Sequence, residues 1–155
     1  TAGALSLMSV TPAVPMIVMN GDLLTRLNFA ALIDFHQSHS ADLTVVVRDD
    51  EFQVPYGVVA TEGEDVVAIE EKPIKRVRVN AGIYVLSPSV LELVPRDHYL
   101  DMPQLVELVI GRRQRVVDPI RYFKGKWMFF LISIYVNCGW QIYEATAIVV
   151  FQQIC

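Results

Sequence analysis

Apolar residues come in short blocks separated by polar turns. The run Met16-Ile17-Val18-Met19 stops abruptly at Asn20-Gly21-Asp22, the pattern of a buried parallel strand that delivers polar groups at its C-terminal end. In open α/β sheets that end is where ligands bind. Asn28 then reads as a helix N-cap, followed by Phe29, Leu32 and Ile33 at helical spacing, with the helix ending near residues 36–40. Strand followed by helix is the unit of an α/β fold.

The β-branched residues 43–47 predict a second strand. Residues 57–60 and 66–69 flank the polar turn Thr61-Glu62-Gly63-Glu64-Asp65 and predict a hairpin. Residues 77–86 are long enough for a central strand, and Ser87-Pro88 supplies an N-cap and a first-turn proline for a short helix. A further helix is expected beyond Asp101, with Leu105, Leu108 and Val109 on one face and Gly111 as its stop. Residues 116–123 return to the sheet, with Pro119 marking an edge or a bulge.

Composition narrows the functional classes. A chain of 155 residues fits one domain. With 53% hydrophobic residues, 19% charged residues and a net charge of -4, it has neither the signature of disorder nor an electrostatic footprint for nucleic acid. Cys138 and Cys155 stand apart from each other and from any histidine cluster, so a thiolate metal site is not expected. No signal or transit peptide is visible, which makes the cytoplasm the expected compartment. From residue 127 onwards Glu144 is the only charged residue. The apolar run over residues 127–134 is too short for a bilayer span of about 20 residues. No membrane contact is expected, and a partial domain over residues 1–123 with an apolar tail over 124–155 is the organisation expected.

Six short pieces carry a resemblance. Thr1-Ala2-Gly3-Ala4-Leu5, Asn20-Gly21-Asp22, Pro55-Tyr56-Gly57-Val58-Val59, Glu71-Lys72-Pro73, Asn80-Ala81-Gly82-Ile83-Tyr84 and Asp101-Met102-Pro103 follow one another in that order. Together, over residues 1–122, they resemble the sugar-1-phosphate nucleotidyltransferases, in particular the mannose-1-phosphate guanylyltransferase-like and glucose-1-phosphate nucleotidyltransferase-like branches. The resemblance implies a Rossmann-like nucleotide-diphospho-sugar transferase fold: an α/β architecture with a mixed, mainly parallel sheet flanked by helices, here incomplete. It implies transfer of a nucleotidyl group from an NTP, with GTP a candidate, to a sugar 1-phosphate, assisted by Mg²⁺.

What the resemblance implies for each residue has a blander chemical alternative. Asp22 would be the metal carboxylate and a catalytic residue, since Mg²⁺ needs one or two carboxylates beside phosphate oxygens; otherwise it caps a turn. Lys72 would be catalytic as a point charge on the sugar phosphate, with Glu71 accepting from sugar hydroxyls. Neighbouring strand residues point to opposite faces, so these two share a ligand only if the strand ends or bends there. The alternative is a solvated charge run. Gly57 would let the backbone approach a sugar ring, or form a bulge. Asn80, in an apolar strand, needs a partner, either a sugar hydroxyl or backbone. Gly82 would also lie on the substrate. Thr1, Ala2 and Gly3 would open a helix with free N–H groups facing the nucleotide, or form a plain small-residue helix start. His36 and His39 are expected to bond at a helix end, residues 112–115 to complement a helix C-terminus, and Tyr84 and Tyr99 to lie in or near the core.

Two elements of the family pattern are not found. The Gly-rich triphosphate loop, GxGxR, would precede this chain, and the second metal aspartate of W-x-D-x-G has no counterpart around Tyr122-Phe123-Lys124-Gly125-Lys126-Trp127. Weak or absent turnover by the chain alone is the consequence, and a catalytically inactive sugar-phosphate-binding or interaction module is the alternative. The tail, with Phe129, Phe130, Leu131 and Ile132, would then promote homo-oligomerisation. A glycosyltransferase would place Asp-x-Asp where Asp22-Leu23-Leu24 stands, and a dinucleotide-binding oxidoreductase would need GxGxxG, which is absent.

Overall fold

A computed structural model describes residues 2–9, 12–96 and 98–123, together with the backbone of Phe130–Leu131 and Ile148–Phe151. A 3-10 helix (Ala2–Leu7) precedes β1 (Met16–Asn20) and the short β2 (Leu23–Leu24), and α1 (Phe29–Ser38) leads into β3 (Leu43–Gln53). The hairpin of β4 (Val58–Glu62) and β5 (Asp65–Glu70) comes next, then β6 (Ile74–Leu86), α2 (Pro88–Leu91), α3 (Met102–Gly111) and β7 (Val116–Val117). Within the apolar tail, β8 (Phe130–Leu131) pairs with β2 and β9 (Ile148–Phe151) pairs with β1.

The main sheet has the order β7-β3-β6-β1-β9. It is mixed: β1 and β9 are parallel, as are β3 and β7, while β6 in the centre runs antiparallel to both β1 and β3. Helices cover both faces, which is why the inner strands read as unbroken apolar runs. On one face Met16, Val18, Leu43, Tyr84 and Leu86 pack with the 3-10 helix, α2 and α3. On the other, Ile17, Val46, Ile83 and Val85 pack with Leu32 of α1 and with Phe123. Each fully buried aliphatic side chain contributes roughly 1.5–3 kcal/mol.

Local chemistry sets the helix ends. The Asn28 side chain accepts from the Ala31 N–H at 3.1 Å. A reciprocal capping box joins Asp101 and Gln104, with bonds of 2.8 and 3.0 Å, satisfying two otherwise orphaned donors of α3. α3 ends at Gly111, as expected, but the left-handed residue that closes it is Arg113, at φ 60, where the N–H groups of Arg113 and Gln114 turn back to Ile110 and Val109. Leu108 is also exposed rather than on the packed face with Leu105 and Val109. Ser87 makes no cap bond, because its hydroxyl donates to the Ala41 carbonyl instead.

β3 and β6 continue past the core as a two-stranded ribbon, with residues 48–53 paired to residues 74–79. The β4–β5 hairpin forms a two-stranded sheet of its own and turns through Gly63, at φ 62. Among the described residues, no helix is long and apolar enough to cross a membrane.

Candidate functional site

The change from core to ribbon happens at Gly82. In the β3–β6 register Val45 faces Tyr84 and Val47 faces Asn80, so Val46 alone spans the length that β6 fills with Ala81, Gly82 and Ile83. The surplus is a bulge. Gly82 is required there twice over: its φ is 72, and a Cβ would stand 2.6 Å from Asn20 Nδ2. The bulge folds Asn80 back across the strand, where its Oδ1 accepts from the Gly82 N–H at 3.0 Å and its Nδ2 donates to the Tyr84 hydroxyl.

Asn20, the last residue of β1, therefore lies against Gly82, and the Gly21-Asp22 turn follows it directly. Asp22 is exposed and has no hydrogen bond or ion pair among the described residues, so it does not cap the turn. Asn80 corrects one expectation. It is exposed rather than buried, because the bulge lifts it out of the apolar part of β6, and its partners are both within the chain. Tyr84 is buried, and burial raises its phenol above the ordinary value, opposed by the Asn80 hydrogen bond and reinforced by the Asp101 charge.

A second group gathers at the other end of the outer ribbon. β5 stops at Glu70, and the chain turns through Glu71 and Lys72, the latter in the left-handed region at φ 47. A lysine there costs about 1–2 kcal/mol of backbone strain. The turn is pinned by neighbours: Gln53 Nε2 donates to the Lys72 carbonyl at 3.1 Å, and the Val54 N–H donates to the Pro73 carbonyl at 2.9 Å. Because the strand has ended, the adjacent side chains share one side, with Lys72 Nζ 3.8 Å from Glu71 Oε1. Gly57 joins them, since a Cβ on it would lie 3.1 Å from Glu71 Oε2. The lysine and glutamate side chains are 58% and 72% exposed, so their ion pair adds little to folding and leaves both charges open to a ligand.

The structure thus forms two groups: the Asn20 to Asp22 turn with Asn80 and Gly82, and Gly57 with Glu71 and Lys72. They sit at opposite ends of the outer half of β6. Asn80 and Pro73 are seven residues apart, at most about 23 Å in an extended strand. No hydrogen bond or ion pair joins the two groups among the described residues. The ribbon's own charges pair across it, Arg76 with Glu51 at 2.6 Å and Arg78 with Asp49 and Asp118 at 3.7 Å.

The N-terminal segment departs from expectation. Thr1 lies outside the described residues. Ala2 is fully buried, and the Gly3 N–H is not free: it donates to the Leu100 carbonyl at 2.8 Å. A Cβ on Gly3 would stand 3.0 Å from the His98 carbonyl, so its small size serves packing of the 3-10 helix on residues 98–100.

His39 behaves as expected, bonding the Phe35 carbonyl at 2.9 Å at the end of α1. His36 is instead buried between α1, β3 and the start of α2, with Nδ1 2.8 Å from the Thr44 hydroxyl and Nε2 3.0 Å from that of Ser87. The Ser87 proton is spent on Ala41, so Ser87 accepts from Nε2–H and Thr44 donates to Nδ1. Burial pushes the imidazole below its ordinary value, opposed by the Asp42 carboxylate. Tyr99, expected near the core, is 75% exposed. Sequence reasoning overlooked the contact of Asn20 with Gly82 and the hydroxyl of Tyr84; the signal for both was a glycine inside a strand.

The family model described as Nucleotidyl transferase matches residues 1–128. The chain is similar to a mannose-1-phosphate guanyltransferase of Schizosaccharomyces pombe, 35% identical over 120 residues, covering 74% of this chain and 32% of that protein. It is also similar to a probable mannose-1-phosphate guanylyltransferase 1 of Oryza sativa subsp. japonica, 42% identical over 84 residues, covering 52% of this chain and 23% of that protein. The chain thus spans a third or less of the length of these relatives. Among solved structures, HddC from Yersinia pseudotuberculosis has the same fold, with a TM-score of 0.50 at 23% identity over 87% of this chain and 57% of that one.

Proposed function

The chain belongs to the nucleotidyl transferase family, and from that premise we propose that it serves transfer of a nucleotidyl group from a nucleoside triphosphate to a sugar 1-phosphate, holding the sugar phosphate along the outer half of β6. The observation that carries this reading is that Gly57, Glu71, Lys72, Asn80 and Asp22 are exposed at positions the core does not need, Lys72 on left-handed backbone and Asn80 beside the bulge at Gly82. The names of the relatives favour mannose 1-phosphate as sugar and GTP as nucleotide.

In the reaction a sugar-phosphate oxygen bonds to the α-phosphorus, the α–β bridging P–O bond breaks, and pyrophosphate leaves. Repulsion between two anions is the obstacle. Lys72 places a cation on the sugar phosphate without the fork geometry of arginine. Glu71 and Asn80 address sugar hydroxyls once the ribbon bends to bring its two ends together, and Gly57 lets backbone approach the ring. Gly82, buried beneath Asn20, shapes the bulge beside Asn80 and does not itself meet the ring. Mg²⁺ is held by one or two carboxylates with phosphate oxygens and water, so a single exposed carboxylate is enough from the protein. Asp22, exposed and unpartnered among the described residues, is the carboxylate that would hold it. Bound there, the ion supplies charge neutralisation at the phosphates. Use of a nucleoside triphosphate fits a cytoplasmic setting.

The second reading, a binding module without turnover, is favoured by the Gly3 N–H being spent on Leu100 rather than open to a nucleotide. Calorimetric titration with mannose 1-phosphate in Mg²⁺, followed by GTP with assay of released pyrophosphate, tests both. Saturable sugar-phosphate binding that Lys72→Ala weakens about tenfold is expected, a charge-assisted contact being worth roughly 1.5–3 kcal/mol. Absence of saturable binding overturns the assignment; binding without pyrophosphate release selects the second reading.

A further inference from the structure

Resting on the reading that Asn80 meets the sugar, we infer that Tyr84 is a positioning residue for Asn80, fixing which way its amide faces the ligand. Two α-carbons four residues apart in an ordinary strand are about 13 Å from each other. Here the bulge at Gly82 lets the Asn80 side chain fold back onto the Tyr84 hydroxyl. The orientation of the amide follows from the donors around it. The Gly82 N–H only donates, so it selects Asn80 Oδ1, and Nδ2 is left to face Tyr84. The Tyr84 oxygen accepts that bond.

Asn80 is thereby held at both ends, with one N–H and one oxygen lone pair unspent among the described residues. That is the inventory needed to accept from one sugar hydroxyl and donate to another. The ring of Tyr84 is anchored in the core, 3% exposed, so the hydroxyl is a fixed point on which an exposed side chain can be aligned. Asn20, packed over Gly82, completes the seam and couples it to the turn carrying Asp22. Binding thus depends on a buried residue that does not touch the sugar.

The test is a double-mutant cycle on the full chain, titrating Asn80→Ala, Tyr84→Phe and the double variant with mannose 1-phosphate in Mg²⁺. Loss of one hydrogen bond that orders Asn80 predicts about fivefold weaker binding in Tyr84→Phe. Added to Asn80→Ala, the same change should cost less than about twofold, because Tyr84 acts through Asn80. Additive losses overturn the proposal. The side-chain amide protons of Asn80, followed by NMR, give a readout that needs no ligand: their exchange with solvent should speed up in Tyr84→Phe, and unchanged exchange overturns the proposal even if the wild type binds no sugar phosphate. Failure of wild-type binding with faster exchange would instead remove the functional reading and keep the positioning. Asn80→Ala alters an exposed residue, and in it the Tyr84 phenol should titrate higher by ultraviolet absorbance; no movement counts against the contact.

Discussion

The inner and outer halves of β6 belong to one strand yet obey different rules. Residues 81–86 are buried without exception, pressed between helices on both faces, while residues 74–80 are exposed apart from a half-buried Val79. Inner side chains such as Ile83 and Leu86 are chosen by packing. Outer ones such as Arg76 and Arg78 pair with acids across the ribbon, and the residues at its two ends, Lys72 and Asn80, sit in bulged or strained backbone that packing does not call for. The difference teaches where to look: the inner half explains why the chain folds, and the outer half holds what folding leaves over for a ligand.

The sharpest way to break this comparison is to shorten a side chain in each half. Ile83→Ala should lower unfolding free energy by about 2–5 kcal/mol, as measured in urea, while the exposed Val77→Ala should stay within about 0.5 kcal/mol. Equal losses would mean that the ribbon is packed too. At the seam, Gly82→Ala forces an alanine into left-handed backbone and against Asn20, and should cost about 2–3 kcal/mol in the same assay and weaken sugar-phosphate binding. A tolerated alanine would contradict the bulge.

Smaller still, and opposite in sign, is Lys72→Gly. Relief of about 1–2 kcal/mol of strain, less about 0.5–1 for the added freedom of glycine when unfolded, predicts a gain near 0.5 kcal/mol together with loss of sugar-phosphate affinity. Stability and binding moving together would remove the case for a lysine held in strain for a ligand. Least, and confined to acid solution, is the effect of His36. Its folded value lies below the ordinary 6.5, so the neutral form is favoured by folding, and stability is full above about pH 6.5 and declines as pH falls from there towards the lowered value. Comparing melting curves of the wild type and His36→Gln between neutral pH and about pH 5.5 should show that slope only in the wild type.

Much of the inner half was legible in the sequence. The apolar run ending at Asn20, the Asn28 cap and the hairpin around Gly63 are local signals, and the structure has each of them. The turn between Glu70 and Pro73 was legible as a condition, a strand end being what lets adjacent charges share one side, and the structure ends β5 at Glu70. The outer ribbon was legible only in part, residues 77–79 lying within the expected strand and residues 48–53 in none. Four of residues 48–53 are charged and the segment lacks strand alternation, and it is extended where residues 74–79 pair with it from far along the chain. The same limit hid the left-handed Arg113, the burial of His36 and the spent N–H of Gly3, each set by a partner distant in sequence or by backbone geometry no side-chain pattern announces.

The central claim is that the two groups at the ends of the outer ribbon address a single sugar phosphate, which requires the ribbon to bend on binding, because seven extended residues span about 23 Å. Backbone amide shifts followed through a titration with mannose 1-phosphate in Mg²⁺ test it most directly. The account predicts that Gly57, Glu71 and Lys72 at one end, and Asn80, Gly82 and Asp22 at the other, shift along one curve with a single Kd. Shifts at one end only, two unrelated curves, or a response elsewhere such as the exposed groove beside Tyr99, Gln104 and Arg112, would contradict it.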